Sequence, residues 1–553
     1  MTAGRPSPER NPLRRLLILQ PGPPRLGVAL RAAFCMVVPV VVGWASGDVG
    51  AGLIATLGAF TALYGANRPY LYRAGYLAAI AVCFAVFVTF GDWAARLPWT
   101  GVLAICAVAV LATFVCNALS VGPPGAYMFT LACAAGTGLE TAHLSPWYVG
   151  LLVLSGGAFA WIVHMAGAVA GFRRPERRSI AAARRAVDGY VAAVDGDAEL
   201  PARHRAAQAL HECWQMLVNF QPPRAVPPPR LRALRGEALR LHLRFADAMN
   251  RGPGVSAPAD PEDVPLGRPR TVDLLRRSAT LRSPVGRTAI RVGAAAAVAG
   301  FVAMWFGVDH AYWAVAAAVL MLHQGFDWVR TVSRGVERVV GTSVGLGLAG
   351  LVLIANPHGL VLAALLGALQ FGVEMLVVRS YALAAVLITP LALTIAFGGR
   401  PIDDVPALLM ARGVDTLIGC LAALLVYAVA SRGHDVARLA DTIVATLDDI
   451  GTTAPFVAEA TTGSAAALAA RRDLQLSLLA MVAAYDSGVG GSARERDAAE
   501  RLWPTVMAAE NLGYRVLGAC WAVEHGAGAP PELFGEIADE RGRLLEDAGR
   551  EAD

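Results

Sequence analysis

Residues 405–430 read VPALLMARGVDTLIGCLAALLVYAVA, and segments of this kind decide the fold. Within the stretch only Arg412 and Asp415 are charged. A helix needs about 20 mostly apolar residues to cross the hydrocarbon core of a bilayer. Because backbone polar groups in lipid must be satisfied within the segment, such a run is expected to be helical. It therefore predicts a transmembrane helix that carries two ionisable side chains.

Further apolar runs lie in two groups along the chain. The first group comprises 26–46, 49–66, 74–91, 99–119, 125–140 and 147–171. The second comprises 287–307, 311–324, 336–355, 359–378, 381–398 and 405–430. The sequence thus predicts about six transmembrane helices in each group, and the expected fold class is an all-α membrane protein.

The composition of the whole chain supports this interpretation. Of its 553 residues, 56% are hydrophobic and 16% are charged, and the mean hydropathy is +0.49. Soluble proteins have roughly 45–50% apolar and about 25% charged residues. The basic residues are 48 arginines, with no lysine. This excludes a Walker-type ATPase, which needs a P-loop lysine, and it also excludes Schiff-base catalysis by lysine.

Two polar stretches complete a predicted organisation of five blocks. A basic cytoplasmic arm covers 1–25, a first transmembrane bundle 26–172, and a basic helical cytoplasmic domain 173–285. A second bundle covers 286–432, and an acidic helical cytoplasmic domain covers 433–553. Residues 173–285 hold 20 Arg against 12 acidic residues, whereas 433–553 hold 10 Arg against 20. These opposite net charges predict that the two polar domains dock on each other.

Arginines are concentrated in the loops on one side of the predicted membrane. That side holds the N-terminal arm and Arg68, Arg73, Arg173, Arg174, Arg177, Arg178, Arg330, Arg334, Arg338 and Arg379. The loops of the other side hold Arg96 and Arg400. The positive-inside rule then predicts a multi-pass protein of the bacterial inner membrane with both termini cytoplasmic. No cleaved signal peptide is expected, because no short apolar region with a cleavage site follows the arm.

Similar motifs recur about 260 residues apart and indicate an internal duplication. The paired motifs are Leu30-Arg31-Ala32 with Ile290-Arg291-Val292, and Trp44 and Asp48 with Trp305 and Asp309. An even number of spans in each half makes both halves enter the membrane in the same direction. The expected architecture is therefore two parallel repeats, each followed by a helical cytoplasmic domain, with a substrate path between them.

The duplicated arginines Arg31 and Arg291 are the first candidate site. A charged side chain within a span costs roughly 2.5–3.5 kcal/mol on insertion scales, so it needs a partner or a wet cavity. A guanidinium binds a carboxylate through two hydrogen bonds, which makes this pair a candidate anion site between the halves. The alternative is that both side chains extend to lipid phosphates. The other arginines predicted to line the anion path at its inner mouth are Arg68, Arg73, Arg330, Arg334 and Arg338.

A second candidate set consists of ionisable residues in the second half. Arg412 and Asp415 are three residues apart and share one helix face. Together with Glu374, in the tenth predicted span, they could neutralise one another inside the bundle. A structural ion network and a proton-coupling role both remain open for these residues. His310 on the outer side could titrate near neutral pH, or it could be a solvated loop residue.

Residue patterns for catalysis or metal binding are missing from the sequence. The eight cysteines form no CxxC pair and mostly lie in apolar runs, which is typical of small buried side chains. We therefore expect no enzyme activity, no cofactor and no metal. A nucleic-acid partner is not expected either, because the acidic block can neutralise the basic one.

Several motifs occur together in residues 305–430. They are Tyr312-Trp313-Ala314-Val315, Asp327, Arg330-Thr331, Arg334, Arg338, Gly341-Thr342 and Gly345, followed by Arg412, Asp415-Thr416 and Gly419. This set resembles a recurring pattern of the fusaric acid resistance (FUSC) family of inner-membrane proteins. The order of spans and polar blocks is similar to that family over essentially the whole chain.

The resemblance implies an exporter of aromatic acids that is driven by the proton gradient. A related plant group comprises organic-anion channels with arginine-lined pores, which supports Arg31 and Arg291 by analogy. A passive organic-anion channel is one alternative, and a non-transporting membrane scaffold with a cytoplasmic partner is another. The expected partners are the lipid bilayer and small organic anions, with a second copy of the chain or a periplasmic efflux partner as further candidates.

Overall fold

A computed structural model shows a helical chain. It describes residues 22, 25–139, 144–196, 198–222, 228–250, 271–280, 283–307, 310–325, 328–397, 402, 404–430, 434–491, 493–524 and 532–552. Within these ranges the regular elements are all helices. Asp309 and Asp327, which belong to the motifs above, lie outside the described residues.

The helices follow the predicted order of apolar and polar blocks. The first apolar group forms α1 (Leu26–Ala45), α2 (Val49–Ala59), α3 (Tyr70–Ala94), α4 (Pro98–Ala118), α5 (Ala126–Thr137) and α6 (Pro146–Gly171). The first polar segment forms α7 (Arg174–Val191), α8 (Glu199–Trp214), α9 (Pro229–Asn250) and α10 (Thr271–Ser278). The second apolar group forms α11 (Pro284–Trp305), α12 (Ala311–Leu322), α13 (Trp328–Ala355), α14 (Gly359–Leu376), α15 (Tyr381–Phe397) and α16 (Val405–Ala430). The second polar segment forms α17 (His434–Ala458), α18 (Ala465–Gly490), α19 (Ala493–Glu524) and α20 (Glu532–Ala552).

The apolar helices differ in length in a regular way. Among the described residues, 8 helices are long and apolar enough to cross a membrane, namely α1, α3, α4, α6, α11, α13, α14 and α16. The second and fifth helices of each group, α2, α5, α12 and α15, are shorter. Each described group of six apolar helices therefore contains four of spanning length and two shorter ones.

Glycines in the left-handed region accompany two of the short helices. Gly65 lies just beyond α2 and its short 3₁₀ turn, and Gly325 lies just beyond α12; each has a φ of +66°. A residue with a side chain pays roughly 1–2 kcal/mol in this region, whereas glycine does not. These two positions let the chain leave the helix direction before a full crossing.

The two apolar groups, called here the first helix set (α1–α6) and the second helix set (α11–α16), pack by the same pairings. In each set the first helix packs on the second, the second on the sixth, the third on the fifth and sixth, the fourth on the fifth, and the first on the sixth. Between the sets, α1 packs on α14 and α11 on α4, while α2 contacts α15 and α5 contacts α12. The short helices therefore lie where the two sets meet.

Small residues allow the close crossing of α2 and α6. A Cβ built on Gly156 of α6 would overlap the carbonyl oxygen of Ala55, and one built on Gly58 of α2 would overlap that of Val153. The crossing of α12 and α16 in the second set is built in the same way, with Gly419 against the carbonyl oxygen of Ala314. At these crossings helix backbones touch directly, as small residues permit in membrane helices.

The two polar segments pack together into one helical body, called here the polar unit (α7–α9 with α17–α20). Leu210 and Phe245 of the first segment belong to the same hydrophobic core as Leu478 of the second. Arg203 donates to Asn511 at 2.7 Å and pairs with Glu510 at 3.4 Å. The two segments dock, as their opposite charges predicted, and they also share an apolar core.

The buried residue His242 of the polar unit makes the stability of the protein depend on pH. Burial, and then the nearby Arg471 guanidinium, lowers the pKa of His242 to about 3, from an ordinary value near 6.5. Between pH 3 and pH 6.5 the unfolded chain therefore binds one more proton at this residue than the folded chain does. The free energy of unfolding is highest above pH 6.5 and decreases as the pH is lowered. At pH 5 the expected loss is about 2 kcal/mol.

Thermal unfolding in detergent between pH 8 and pH 5 measures this effect. The His242→Gln variant keeps a hydrogen-bond acceptor but no titrating ring, so its stability should decline less on acidification. His358→Gln is the matched control and should follow the wild-type curve. Equal pH profiles for wild type and His242→Gln would contradict the assignment.

Candidate functional site

A cavity of about 90 Å³ lies between the two helix sets. Its walls come from α2, α3 and α5 of the first set and from α12, α15 and α16 of the second. Phe60, Phe84, Tyr312 and Trp313 contribute aromatic rings, and most of the remaining wall is aliphatic. Arg412 is the charged residue among the described ones that line it. All four of the short helices, α2, α5, α12 and α15, contribute to its walls, so this cavity occupies the place where the two sets meet.

Arg412 is held on an aromatic wall of this cavity. Its guanidinium carbon lies 4.8 Å from the centroid of the Trp313 ring, and the residue is only 4% exposed. Its Nε is buried and has no hydrogen-bond partner among the described residues. The Trp313 ring also stacks on the His310 ring, at 4.5 Å between centroids. The guanidinium is therefore oriented by its aromatic contact while part of its hydrogen-bonding capacity remains unused.

Asp415 lies one turn further along α16 and is fully buried. Neither of its carboxylate oxygens has a hydrogen-bond partner among the described residues. Arg412 acts on it electrostatically, although no hydrogen bond joins the two side chains. An ionised carboxylate without hydrogen bonds is costly in an apolar interior. A proton or the field of a nearby cation must compensate it.

A second buried guanidinium, that of Arg338, lies near Arg412. Arg338 is 2% exposed, and its Nη1 donates to the Tyr381 hydroxyl at 3.4 Å. The Arg334 guanidinium lies 3.9 Å from the centroid of the same Tyr381 ring. Arg338 repels Arg412 electrostatically, and Asp415 is the carboxylate that acts on Arg412 in return. Arg334 and Arg338 were predicted to line the anion path, and Arg412 was predicted to belong to an ion network. The structure brings all three into one positively charged region.

Polar contacts near this region join the two helix sets. Asn117 of α4 donates its side-chain amide to the carbonyl oxygen of His323, which directly follows α12, at 3.1 Å. The rings of Tyr127 and His323 lie 6.0 Å apart. Within the first set, the Tyr64 hydroxyl donates to the carbonyl oxygen of Gly125 at 2.8 Å. These contacts fix the ends of the short helices α2, α5 and α12.

The predicted pair Arg31 and Arg291 is not brought together on this cavity. Arg31 is half-buried in the first set and acts electrostatically on His164, as Arg73 also does. The Arg291 guanidinium lies 5.2 Å from the centroid of the Tyr427 ring in the second set. Neither arginine is among the described residues that line the cavity. Arg31 and Arg291 occupy equivalent sequence positions, but each guanidinium lies within its own helix set.

Arg68 and Arg73 stabilise the loop that follows α2. The Arg73 guanidinium donates to the carbonyl oxygens of Ala66 at 2.8 Å and Arg68 at 2.6 Å. The Arg68 guanidinium lies 4.0 Å from the centroid of the Phe220 ring in the polar unit. Arg330, in the first turn of α13, is exposed. These three predicted path residues therefore lie outside the cavity, and Arg68 connects the membrane helices to the polar unit.

Glu374 is separated from Arg412 and Asp415. Its carboxylate accepts from Arg25 at 2.9 Å, and its side chain is 6% exposed. Arg25 is the described residue whose charge acts on Glu374. The expectation that Glu374, Arg412 and Asp415 neutralise one another does not hold for Glu374, which instead connects the end of α14 to the residue that precedes α1.

The aromatic lining of the cavity is the part of the site that sequence reasoning missed. Tyr312 and Trp313 were named only as part of a family-like motif, and Phe60 and Phe84 were not singled out. Tyr381, which contacts both Arg334 and Arg338, was missed as well. The available signal was the short length of the apolar runs that carry Phe60 and Tyr381, since broken or short spans are typical of transporter sites.

The fold and this cavity define a multi-pass helical membrane protein with an aromatic, arginine-bearing site between two helix sets. Residues 297–426 match the family model described as fusaric acid resistance protein-like. This confirms the resemblance seen in the motifs, and the matched segment includes Trp313, Arg338 and Arg412. Over this segment the chain is similar to fusaric acid resistance-like proteins, a similarity consistent with transport or efflux at the level of the family.

A curated relative extends the similarity to most of the chain. The uncharacterized membrane protein YvaC of Bacillus subtilis (strain 168) is 27% identical over 556 aligned positions. The alignment covers 89% of this chain and 85% of the relative. No solved structure matches the chain.

Proposed function

We propose that this protein is a secondary transporter that exports aromatic or other small organic acids across the bacterial inner membrane. The observation that carries the proposal is the buried Arg412 guanidinium on the aromatic wall of the cavity between the helix sets. A guanidinium can bind a carboxylate through two hydrogen bonds. Aromatic walls favour a planar ring by stacked or edge-on contacts. An aromatic carboxylate combines both features.

The surplus of positive charge around Arg412 supports an anionic substrate. Arg338 and Arg412 are both buried, and Asp415 is the carboxylate beside them. Two like charges in an apolar interior are costly unless a counter-charge joins them. The carboxylate of a substrate supplies that counter-charge, so binding relieves the repulsion.

The cavity must widen during transport. An apolar cavity of about 150 Å³ holds one benzene molecule, whereas this cavity measures about 90 Å³. Two parallel repeats provide a way to open it, because one helix set can rock against the other. The shared packing pairs and the short helices between the sets support this duplicated architecture.

The remaining predicted residues have roles at either end of the path. Both termini and the polar unit are assigned to the cytoplasm, as the distribution of arginines indicates. Arg31, Arg68, Arg73, Arg291, Arg330 and Arg334 would then concentrate the anion on the cytoplasmic side. Asp415 is the main candidate for proton coupling, since no described residue hydrogen-bonds its carboxylate. His310 is the second, because its ring stacks on the cavity residue Trp313.

Flux through proteoliposomes tests the proposal. Vesicles loaded with radiolabelled benzoate should release it faster through the protein than through lipid alone, and an imposed proton gradient should drive accumulation against the benzoate gradient. A passive channel of the same architecture would instead give a reversal potential that follows the anion gradient and does not respond to pH. Absence of any organic-anion flux, together with a protein that co-purifies, would favour the membrane scaffold.

A further inference from the structure

A second and larger cavity lies between the polar unit and the first helix set. Its volume is about 400 Å³, within the range of roughly 300–1,000 Å³ that small-molecule sites occupy. Helices α8, α9, α18 and α19 of the polar unit form most of the wall. Arg68, Ala118 and Ser120 close it from the first helix set. It shares no lining residue with the cavity that holds Arg412.

Aromatic rings cover one wall of this cavity. The indole nitrogen of Trp214 donates to Nδ1 of His242 at 3.0 Å. The His242 ring lies 4.4 Å from the ring of Trp521 and meets Phe245 edge to face. Tyr514 packs edge to face on Phe245. A wall of fixed rings is suited to a planar aromatic ligand.

His242 also offers a hydrogen-bond donor on this wall. Its ring is neutral at pH 7, because burial and the Arg471 charge lower its pKa to about 3. Since Nδ1 accepts from Trp214, the ring proton of the neutral form must lie on Nε2. The cavity wall thus combines an aromatic face with one polar group.

The charges around the cavity favour an anion. The charged lining residues are Arg68, Arg277, Arg471, Arg472, Asp473 and Glu524. Arg471 pairs with Glu524, and Asp473 is shared by Arg472 at 2.7 Å and Arg277 at 3.9 Å. Arg68 rests on the Phe220 ring and forms no ion pair with a described residue. Its guanidinium is therefore available to a carboxylate that enters from the aromatic wall.

We propose that this cavity is a binding site for a small aromatic carboxylic acid. Arg68 holds the carboxylate, and the wall of His242 and Trp521 holds the ring. The ligand class follows from this cavity's own residues, so the proposal goes beyond transport through the cavity of Arg412. Arg68 lies in the loop that follows α2, and α2 also lines the Arg412 cavity. The acid would therefore bind where the polar unit contacts a helix of the transport site.

Calorimetry on the full chain in detergent tests the site in an Arg412→Gln background, which removes the carboxylate contact of the membrane cavity. Benzoate should still bind with a stoichiometry near one. Cyclohexanecarboxylate, which has the same charge but no aromatic ring, should bind roughly fivefold more weakly. An added Arg68→Gln substitution should weaken benzoate binding about tenfold or more, because the charge-assisted hydrogen bonds are lost.

The controls keep this site distinct from transport. Arg185→Gln changes an exposed arginine of α7 that does not line the cavity, and benzoate affinity should be unchanged. Loss of all benzoate binding in the Arg412→Gln chain, while the wild type binds, would assign the binding to the membrane cavity and overturn the proposal. Equal benzoate affinities with and without Arg68→Gln would overturn it too. So would equal affinities for benzoate and cyclohexanecarboxylate.

Discussion

Glutamine in place of Arg412 is expected to lower benzoate flux in proteoliposomes by about 100-fold, to the background of the lipid. Removal of one member of a buried, hydrogen-bonded charge pair costs roughly 2–5 kcal/mol. Glutamine keeps most of the length of the side chain and its polar character, so the change removes mainly the charge and the planar fork. Arg412→Lys should recover only part of the flux, because an ammonium group binds as a point charge.

The control for Arg412 is an arginine outside the cavity. Arg96, exposed between α3 and α4, serves this purpose, and Arg96→Gln should transport at the wild-type rate. Each variant should elute as the wild type does in size-exclusion chromatography, so that a loss of flux is not a loss of folding. Wild-type flux in Arg412→Gln would contradict the proposed site. If the double variant Arg31→Ala/Arg291→Ala were then inactive, the pair predicted from the duplication would hold the anion instead.

Leucine at Gly156 is expected to prevent the first helix set from packing. A Cβ at this position already overlaps the carbonyl oxygen of Ala55 in α2, and neither helix backbone can yield locally. Overpacking of a tight interior costs typically about 1–3 kcal/mol, and leucine adds three further carbon atoms beyond the Cβ. We expect little folded protein from Gly156→Leu and a markedly lower thermal unfolding midpoint for Gly156→Ala.

Gly75 of α3 provides the matched control for this substitution. A Cβ built there meets no heavy atom within 4 Å. Gly75→Ala should therefore be neutral or slightly stabilising, by roughly 0.5–1 kcal/mol from helix propensity. Unchanged thermal unfolding of Gly156→Ala would show that α2 and α6 do not cross as closely as described.

The sequence predicted which segments form apolar helices and which form polar helices better than it predicted how these helices pack. Hydrophobic runs located all twelve apolar helices that the structure describes, since burial in lipid needs only a continuous apolar stretch. Opposite net charges predicted the docking of the polar segments. The lengths of the helices were harder to predict from the sequence. Glycines such as Gly65 and Gly325 end a helix through their backbone conformation, which hydropathy does not report.

The site could be predicted only in part, because neighbours in space are set by tertiary packing. Arg412 and Asp415 were found from their cost inside an apolar run. Glu374 was assigned to the wrong neighbours, since its partner Arg25 lies 349 residues away in the chain. Arg31 and Arg291 occupy related sequence positions, but the helices around them differ in side chains. The lining by Phe60 and Phe84 depends on which faces of α2 and α3 meet the second set.

The surplus of buried positive charge beside Arg412 has a consequence for the electrical behaviour of a carrier. With Asp415 ionised, the buried Arg338 and Arg412 outweigh it by one charge when the cavity is empty, and a monoanionic substrate cancels this difference. Moving one charge across the membrane potential involves about 2.3 kcal/mol per 100 mV. For the proposed exporter, the return of the empty carrier would therefore sense voltage, whereas the loaded step would be nearly electroneutral. In a respiring cell the membrane potential then acts on the resetting of the carrier.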